Sequence, residues 1–123
     1  MNAWLIVAAV NGFLAVALGA FAAHGLSGRI DAHALQTFET GARYHMYHAL
    51  AMGLAAIAGR GAATSLANLA AWFFLAGIVL FSGSLYLLAT MGVRALGIVT
   101  PFGGLSFLIG WGLLACAAAR AQA

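Results

Sequence analysis

The charged residues of this chain stand so far apart that they leave long stretches with no charge at all. No Asp, Glu, Lys or Arg occurs before Arg29, between Arg60 and Arg94, or between Arg94 and Arg120. A helix of about 20 apolar residues crosses the ~30 Å hydrocarbon core of a bilayer, and each of these stretches is longer than that. With 65% hydrophobic and 6% charged residues, the chain has too few charges to cover a water-soluble fold.

Four apolar segments are separated by polar or glycine-rich breaks. The segments cover residues 3–23, 43–59, 65–91 and 97–119, and the breaks read HGLSGRIDAH, GRGAAT and GVRALG. Asp31 is suited to cap a helix, which predicts an interfacial helical segment before the second span. We therefore predict an all-α polytopic membrane protein. Residues 1–123 form a single integral-membrane domain, a compact bundle of four transmembrane helices.

Small residues predict how the helices pack, because close approach of backbones drives helix association in lipid. Ala8, Gly12, Ala15, Gly19 and Ala22 follow one helical row in the first span. The chain has 16 glycines, which fits a tightly packed bundle. The glycines that we assign to helix packing are Gly12, Gly19, Gly41, Gly77, Gly83, Gly103, Gly104 and Gly110.

Polar and ionisable residues are concentrated in the stretch GARYHMYHAL, residues 41–50. On a helix, Gly41, Tyr44 and His48 share one face, and His45 lies on its flank. Glu39 and Arg43 share the opposite face at a spacing that favours an ion pair. An ionisable residue inside a span is a candidate functional group, so His48 either relays protons or, as a structural imidazole, bonds a neighbouring helix.

Further polar residues are expected at the same depth in the membrane if successive helices run in opposite directions. His24 ends the first span, Ser82, Ser84 and Tyr86 lie late in the third, and Thr100 opens the fourth. The sequence thus predicts one polar cluster near the outer membrane face, which is a candidate ligand-binding site. Its members are His24, Glu39, Thr40, Arg43, Tyr44, His48, Ser82, Ser84, Tyr86, Thr100 and Trp111.

The ordered motifs ALGAFAAHGL, TGARYHMYHAL, LFSGSLYLL, TPFGG and GW cover nearly the whole chain. Together they resemble the YgdD-like family of small bacterial inner-membrane proteins, a domain of unknown function with four predicted helices. The resemblance implies an inner-membrane location and supplies no reaction. Ala22 stands where relatives often have glycine. The motif positions are His24, Thr40, Gly41, Tyr44, His48, Ser82, Gly83, Ser84, Tyr86, Thr100, Pro101, Gly103, Gly104 and Trp111.

These observations favour a non-enzymatic membrane protein that binds a ligand or a partner at the polar cluster. The alternative is a small oligomeric transporter or proton-linked carrier that uses His48. An enzyme is disfavoured because Asp31 and Glu39 are the only side-chain carboxylates and no catalytic triad is evident. We expect no cofactor, no metal and no nucleic-acid partner. The expected partners are the lipid bilayer and a second copy of the chain or a larger membrane complex.

Arginine placement predicts the orientation in the membrane. Four spans put Arg60, Arg120 and the terminal amine on one side and Arg29 and Arg94 on the other, with Arg43 at a helix mouth. Arg43 is the expected partner of Glu39 and says less about topology, so the remaining charges favour cytoplasmic termini. The sequence GAFAA (19–23) could be a signal-peptidase site, but no Lys or Arg precedes it. We therefore expect a retained first span in a multi-pass protein of the bacterial inner (plasma) membrane, with both termini in the cytoplasm.

Overall fold

The computed structural model describes residues 2–121, which fold into helices joined by short connections. The α-helices are α1 (Ala3–Phe21), α2 (Ala32–Ala58), α3 (Thr64–Gly77), α4 (Ser84–Met91) and α5 (Thr100–Ala121). A π-helical stretch, Ile78–Gly83, joins α3 to α4 without a break, so these two elements make one continuous helical rod. The described chain therefore consists of four long helical rods. A second π-helical turn, Ala22–Leu26, ends the first rod.

Three of the four rods have the length and composition of membrane spans. They cover Ala3–Leu26, Gly61–Met91 and Arg94–Ala121. The remaining rod, α2, carries Glu39, Arg43 and three histidines, and it does not reach the same apolar composition. The all-helical architecture fits a polytopic helical membrane protein.

Side-chain caps and a left-handed glycine set the helix ends. The Asp31 carboxylate accepts a hydrogen bond from the Ala34 backbone N–H at 2.7 Å, which confirms the predicted cap of α2. Asn2 caps α1 in the same way, through the Leu5 N–H. Gly92 adopts a φ of 68° and ends α4, a conformation that glycine reaches without steric cost.

The second rod begins earlier than the expected span at residue 43. No proline occurs between the Asp31 cap and Ala58, so the expected interfacial segment and the second span form one helix of 27 residues. At 1.5 Å per residue this helix is about 40 Å long, which exceeds the hydrocarbon thickness of a bilayer. The fourth rod differs in a smaller way, because a 3₁₀ turn, Arg94–Ile98, precedes α5.

Aromatic side chains packed on glycines join the α3–α4 rod to α5. A Cβ added to Gly77 would overlap the ring of Phe107, and one added to Gly110 would lie 2.6 Å from the ring of Phe74. A Cβ added to Gly103 would overlap the backbone nitrogen of Phe81. These contacts lie against a core that contains Met52, Phe74 and Phe107 together with small alanines. Glycine is required at these positions because the neighbouring helix occupies the space of its missing side chain.

The other predicted packing glycines divide into two groups. Gly41 supports a close contact, since an added Cβ would lie 3.0 Å from the Tyr86 ring. By contrast, a Cβ on Gly12 or Gly19 would meet nothing within 4 Å, so no neighbour in the described chain requires glycine at these two positions. The buried residues of α1 are Ala8, Asn11 and Ala15, so the inward face of this helix is displaced from the two glycines. Gly83 and Gly104 have only ordinary distances, 3.9 and 4.0 Å, to their nearest neighbours.

Candidate functional site

A buried hydrogen-bonded chain connects α1, α2 and α4. His45 Nε2 lies 3.0 Å from Asn11 Oδ1, and His45 Nδ1 lies 2.9 Å from the Tyr86 hydroxyl. The Asn11 amide nitrogen already donates to the Val7 carbonyl, so its oxygen is the acceptor. A neutral His45 must therefore carry its proton on Nε2 and accept the Tyr86 O–H on Nδ1. Both ring nitrogens are used to hold three helices together.

A second imidazole connects α2 to α5. His48 Nδ1 lies 2.7 Å from the Tyr44 carbonyl oxygen, and the Trp111 indole N–H donates to His48 Nε2 at 3.1 Å. The indole is a donor only, so His48 must accept on Nε2 and donate from Nδ1. Its ring also stacks on Phe107, with ring centroids 3.5 Å apart. His48 is 4% exposed, in agreement with the expectation that it faces the bundle interior.

Hydroxyl groups form the remaining contacts between helices. Ser82 donates to the Gly41 carbonyl at 2.7 Å, and Ser106 donates to the Phe73 carbonyl at the same distance. The hydroxyls of Ser84 and Thr100 lie 2.6 Å apart and link α4 to the start of α5. Among the described residues, no fully buried side-chain nitrogen or oxygen lacks a hydrogen-bond partner. The interior polar groups thus satisfy one another and offer no vacant group to a ligand.

Two tyrosine hydroxyls border a cleft between α2 and α5, which we name the aromatic groove. The groove has a volume of about 690 Å³, and the His48–Trp111 pair forms part of its wall. Tyr44 and Tyr47 are 39% and 52% exposed, and neither hydroxyl makes a hydrogen bond within residues 2–121. The lining residues are Tyr44, Tyr47, His48, Phe81, Pro101, Gly104, Leu105, Phe107, Leu108 and Trp111.

The predicted cluster is therefore divided among different surfaces. Tyr44, His48 and Trp111 line the aromatic groove, whereas Ser82, Ser84, Tyr86 and Thr100 are used in contacts between helices. His24 is exposed at the π-helical end of the first rod and joins neither set. A single convergent cluster is not formed, because equal depth in the bundle does not make side chains face one another.

Glu39 and Arg43 lie on another side of α2, next to α1, and Thr40 lies one turn before Arg43 on the same helix. Glu39 and Arg43 line a hollow together with Gly19. Within the described chain, the hydrogen bond from the Arg43 guanidinium to a side chain goes to the Thr40 hydroxyl, at 3.1 Å, and not to Glu39. The spacing correctly separated this pair from the Tyr44–His48 face, but the expected intrahelical ion pair is replaced by a bond to Thr40.

Asn11 and His45 are interior residues that the predicted cluster omitted. His45 is 4% exposed and Asn11 is 8% exposed. The signal for Asn11 was a carboxamide within an otherwise apolar span, which requires a partner in lipid. Helical spacing places His45 on the flank of the Tyr44–His48 face, which does not show whether it is buried. In fact α2 packs against α1 on one side and against α3, α4 and α5 on the others, so its buried arc is wide.

Comparison with known proteins identifies the family. A family described as "Protein of unknown function (DUF423)" matches residues 18–104. The chain is 46% identical to the UPF0382 membrane protein YwdK of Bacillus subtilis, with 98% of each chain covered. It is also 46% identical to the UPF0382 inner membrane protein YgdD of Escherichia coli, over 94% of this chain and 88% of that protein.

A third relative, the UPF0382 membrane protein SAB0533 of Staphylococcus aureus, is 43% identical over 93% of each chain. No solved structure matches this chain. The motif-based resemblance to YgdD-like proteins is thereby confirmed, and the chain belongs to the DUF423 family, whose relatives carry the name UPF0382 membrane proteins.

Proposed function

We propose that this chain is a non-enzymatic four-span membrane protein that binds an amphiphile from the bilayer in the aromatic groove. The observation that carries the proposal is the groove itself, an aromatic cleft of about 690 Å³ between α2 and α5. Ligand sites in proteins have volumes of about 300–1,000 Å³ and combine apolar walls with a few polar groups. The groove has this size and this chemistry.

The distribution of polar groups in the groove indicates the kind of ligand. The Trp111 indole N–H is already bound to His48, so it is not available to a ligand. The hydroxyls of Tyr44 and Tyr47 remain open, while the opposite wall consists of Leu105, Leu108 and neighbouring apolar residues. A suitable ligand therefore has a long apolar body and a hydrogen-bonding group that reaches a tyrosine. Membrane lipids and fatty acids have this composition.

The bonding of His48 favours binding over proton-coupled transport. Protonation would place N–H groups on both ring nitrogens, and the imidazolium could no longer accept the Trp111 hydrogen bond. A carrier that used His48 would thus have to break the α2–α5 contact in each cycle. A binding protein needs only the neutral imidazole that this geometry requires.

A photoactivatable probe tests the proposal directly. We expect a diazirine-bearing palmitic acid, added to membranes that contain the protein, to label residues of the aromatic groove, as mapped by peptide mass spectrometry. Gly104→Leu should abolish most of this labelling, because Gly104 lines the groove, an added Cβ has its nearest neighbour 4.0 Å away, and the larger side chain would occupy part of the groove.

Gly112→Leu is the matched control, since it lies on the same helix, outside the groove, and its Cβ would also meet nothing within 4 Å. Equal labelling of the wild type and both variants, or labelling spread evenly over the lipid-facing surface, would show that the groove is not a binding site.

The proposed four-span topology depends on α2. Phe38, near its start, packs on Phe21 at the end of α1, with ring centroids 6.2 Å apart. Ala55 and Gly59, near its end, line a cavity with Trp4 at the start of α1. Because α2 returns along the full length of α1, we propose that it crosses the membrane in spite of its polar residues.

A further inference from the structure

We infer that this chain forms a two-fold homodimer through the outer surface of α1 and α2, in which Glu39 of each copy contacts Arg43 of the partner subunit. This surface lies on a different side of α2 from the aromatic groove, so the inference does not depend on the proposed ligand, although it rests on the proposed crossing of the membrane by α2. It starts from two opposite charges at the rim of a lipid-facing hollow.

Glu39 and Arg43 lie where ionisable groups need partners. Their hollow also contains Ala15 and Gly19 of α1, and Gly19 lies about 10 Å from the Leu26 end of the first span at 1.5 Å per residue. Charged side chains within a span normally pair with one another or line a protein interior. Here Arg43 is exposed and hydrogen-bonds Thr40, so neither charge is neutralised by the other through a hydrogen bond in the described chain.

The hollow continues along the helices as an apolar groove. Met46 lines both the charged hollow, of about 240 Å³, and a second hollow of about 450 Å³ between Gly12 and Gly53. A Cβ on Gly12 or Gly19 would meet nothing within 4 Å, so the fold of one chain does not explain glycine at these positions. Small residues of this kind allow the backbone of another helix to approach closely in a membrane.

The charges identify the occupant of this surface. An anionic lipid headgroup would be attracted by Arg43 and repelled by Glu39 in the same hollow. A zwitterionic headgroup carries both signs but has no helix backbone to pack closely on Gly12 and Gly19, so the fitting partner is a helix surface with one charge of each sign next to small residues. In a two-fold dimer the same patch meets itself, so each copy supplies the opposite charges that the other needs.

A charge-exchange experiment tests the dimer. Glu39→Arg gives a chain with two positive charges in the hollow, and Arg43→Glu gives a chain with two negative charges. Each variant alone should dimerise about three- to thirtyfold more weakly than the wild type, the range of single polar contacts between membrane helices. When the two variants carry different tags and are expressed together, mixed pairs should be captured well above either like-charged pair.

Gly12→Leu and Gly112→Leu separate interface effects from folding effects. Neither added Cβ would meet an atom within 4 Å, so both monomers should fold and give the wild-type helical circular dichroism. Only Gly12→Leu should lower the dimer fraction measured by native mass spectrometry.

Monomeric wild-type protein, or mixed pairs no more abundant than like-charged pairs, would overturn the inference. A monomer that retains an anionic phospholipid and loses it in Arg43→Ala would also overturn it and would assign the hollow to lipid.

Discussion

At the scale of single residues, two histidines one turn apart perform the same task with opposite tautomers. His45 carries its proton on Nε2 because Asn11 offers only an oxygen, whereas His48 carries its proton on Nδ1 because Trp111 offers only an N–H. Both imidazoles are neutral, and each has both nitrogens engaged. A neutral imidazole donates and accepts at once, so each one connects α2 to different helices without placing a charge in the bundle.

The His48–Trp111 hydrogen bond should make a measurable contribution to stability. His48→Phe keeps an aromatic ring on Phe107 but leaves the Trp111 indole N–H without an acceptor. Trp111 is 42% exposed, so we expect the free energy of unfolding to fall by about 0.5–1.5 kcal/mol, the usual net contribution of one hydrogen bond. Thermal and denaturant unfolding in detergent would measure this loss.

A double-mutant cycle with Trp111→Phe assigns the loss to the hydrogen bond. In the Trp111→Phe background, His48→Phe should cost clearly less, because no indole N–H remains to be left unpaired. Equal costs in the two backgrounds would show that His48 stabilises the bundle by stacking and packing alone.

At the scale of elements, the contact between the π-helical stretch Ile78–Gly83 and α5 is the closest approach of two backbones that we find among the packing glycines. Gly103 faces the backbone of Phe81, and an added Cβ would also lie 2.8 Å from the Leu80 carbonyl carbon. A π-helical stretch changes the direction of the side chains that follow it. Here it places Ser82 against the Gly41 carbonyl and leaves Phe81 in the aromatic groove.

Adjacent glycines give a sharp test of this contact. Gly103→Ala should lower the free energy of unfolding by about 1–3 kcal/mol, since the methyl group overlaps backbone atoms that cannot rotate away. Gly104→Ala should be neutral or stabilising by about 0.5–1 kcal/mol, because its Cβ has room and alanine is favoured in a helix interior. The same unfolding measurements compare the two variants. Similar stability for both would mean that α5 does not approach the π-helical stretch so closely.

Secondary-structure elements could be predicted from the sequence where their formation depends only on neighbouring residues. The Asp31 cap, the apolar runs and the glycine-rich breaks each act over a few residues, and the structure has helices where they indicate them. The π-helical stretches were not predictable, because they depend on what packs against them. For the same reason Gly12 and Gly103 could not be told apart in advance, although only Gly103 has a neighbour in the space of its missing side chain.

At the scale of the whole molecule, α2 lies between two surfaces on the sides of the bundle, the lateral surfaces, which differ in chemistry. One surface, the aromatic groove, has tyrosine hydroxyls and no formal charge, and the other has Glu39 and Arg43 above a groove of small residues. The sequence predicted that these two sets of side chains face different ways. It could not predict that Tyr86 bonds His45 and Thr100 bonds Ser84 inside the bundle, because the residues of each pair are far apart in the sequence.

Membrane topology follows from whether α2 crosses the bilayer. If all four rods cross, both termini lie on the same side together with Arg60 and Arg120, while Arg29 and Arg94 lie on the other side. These four arginines are evenly divided, and the prediction that the termini lie in the cytoplasm is the one that fusions test. If only the three most apolar rods cross, the termini lie on opposite sides. One reporter at each terminus therefore decides whether the number of spans is even or odd.

We expect green fluorescent protein fused to either terminus to fluoresce, and alkaline phosphatase fused at the C-terminus to be inactive, because the first folds in the cytoplasm and the second only outside it. A phosphatase fusion in the 94–98 turn should be active, since the four-span topology puts this turn on the outer side. An active phosphatase at the C-terminus together with a fluorescent N-terminal fusion would mean that α2 does not cross. In that case Glu39, Arg43 and His48 would lie in a surface-bound helix, and both lateral surfaces would have to be reassigned.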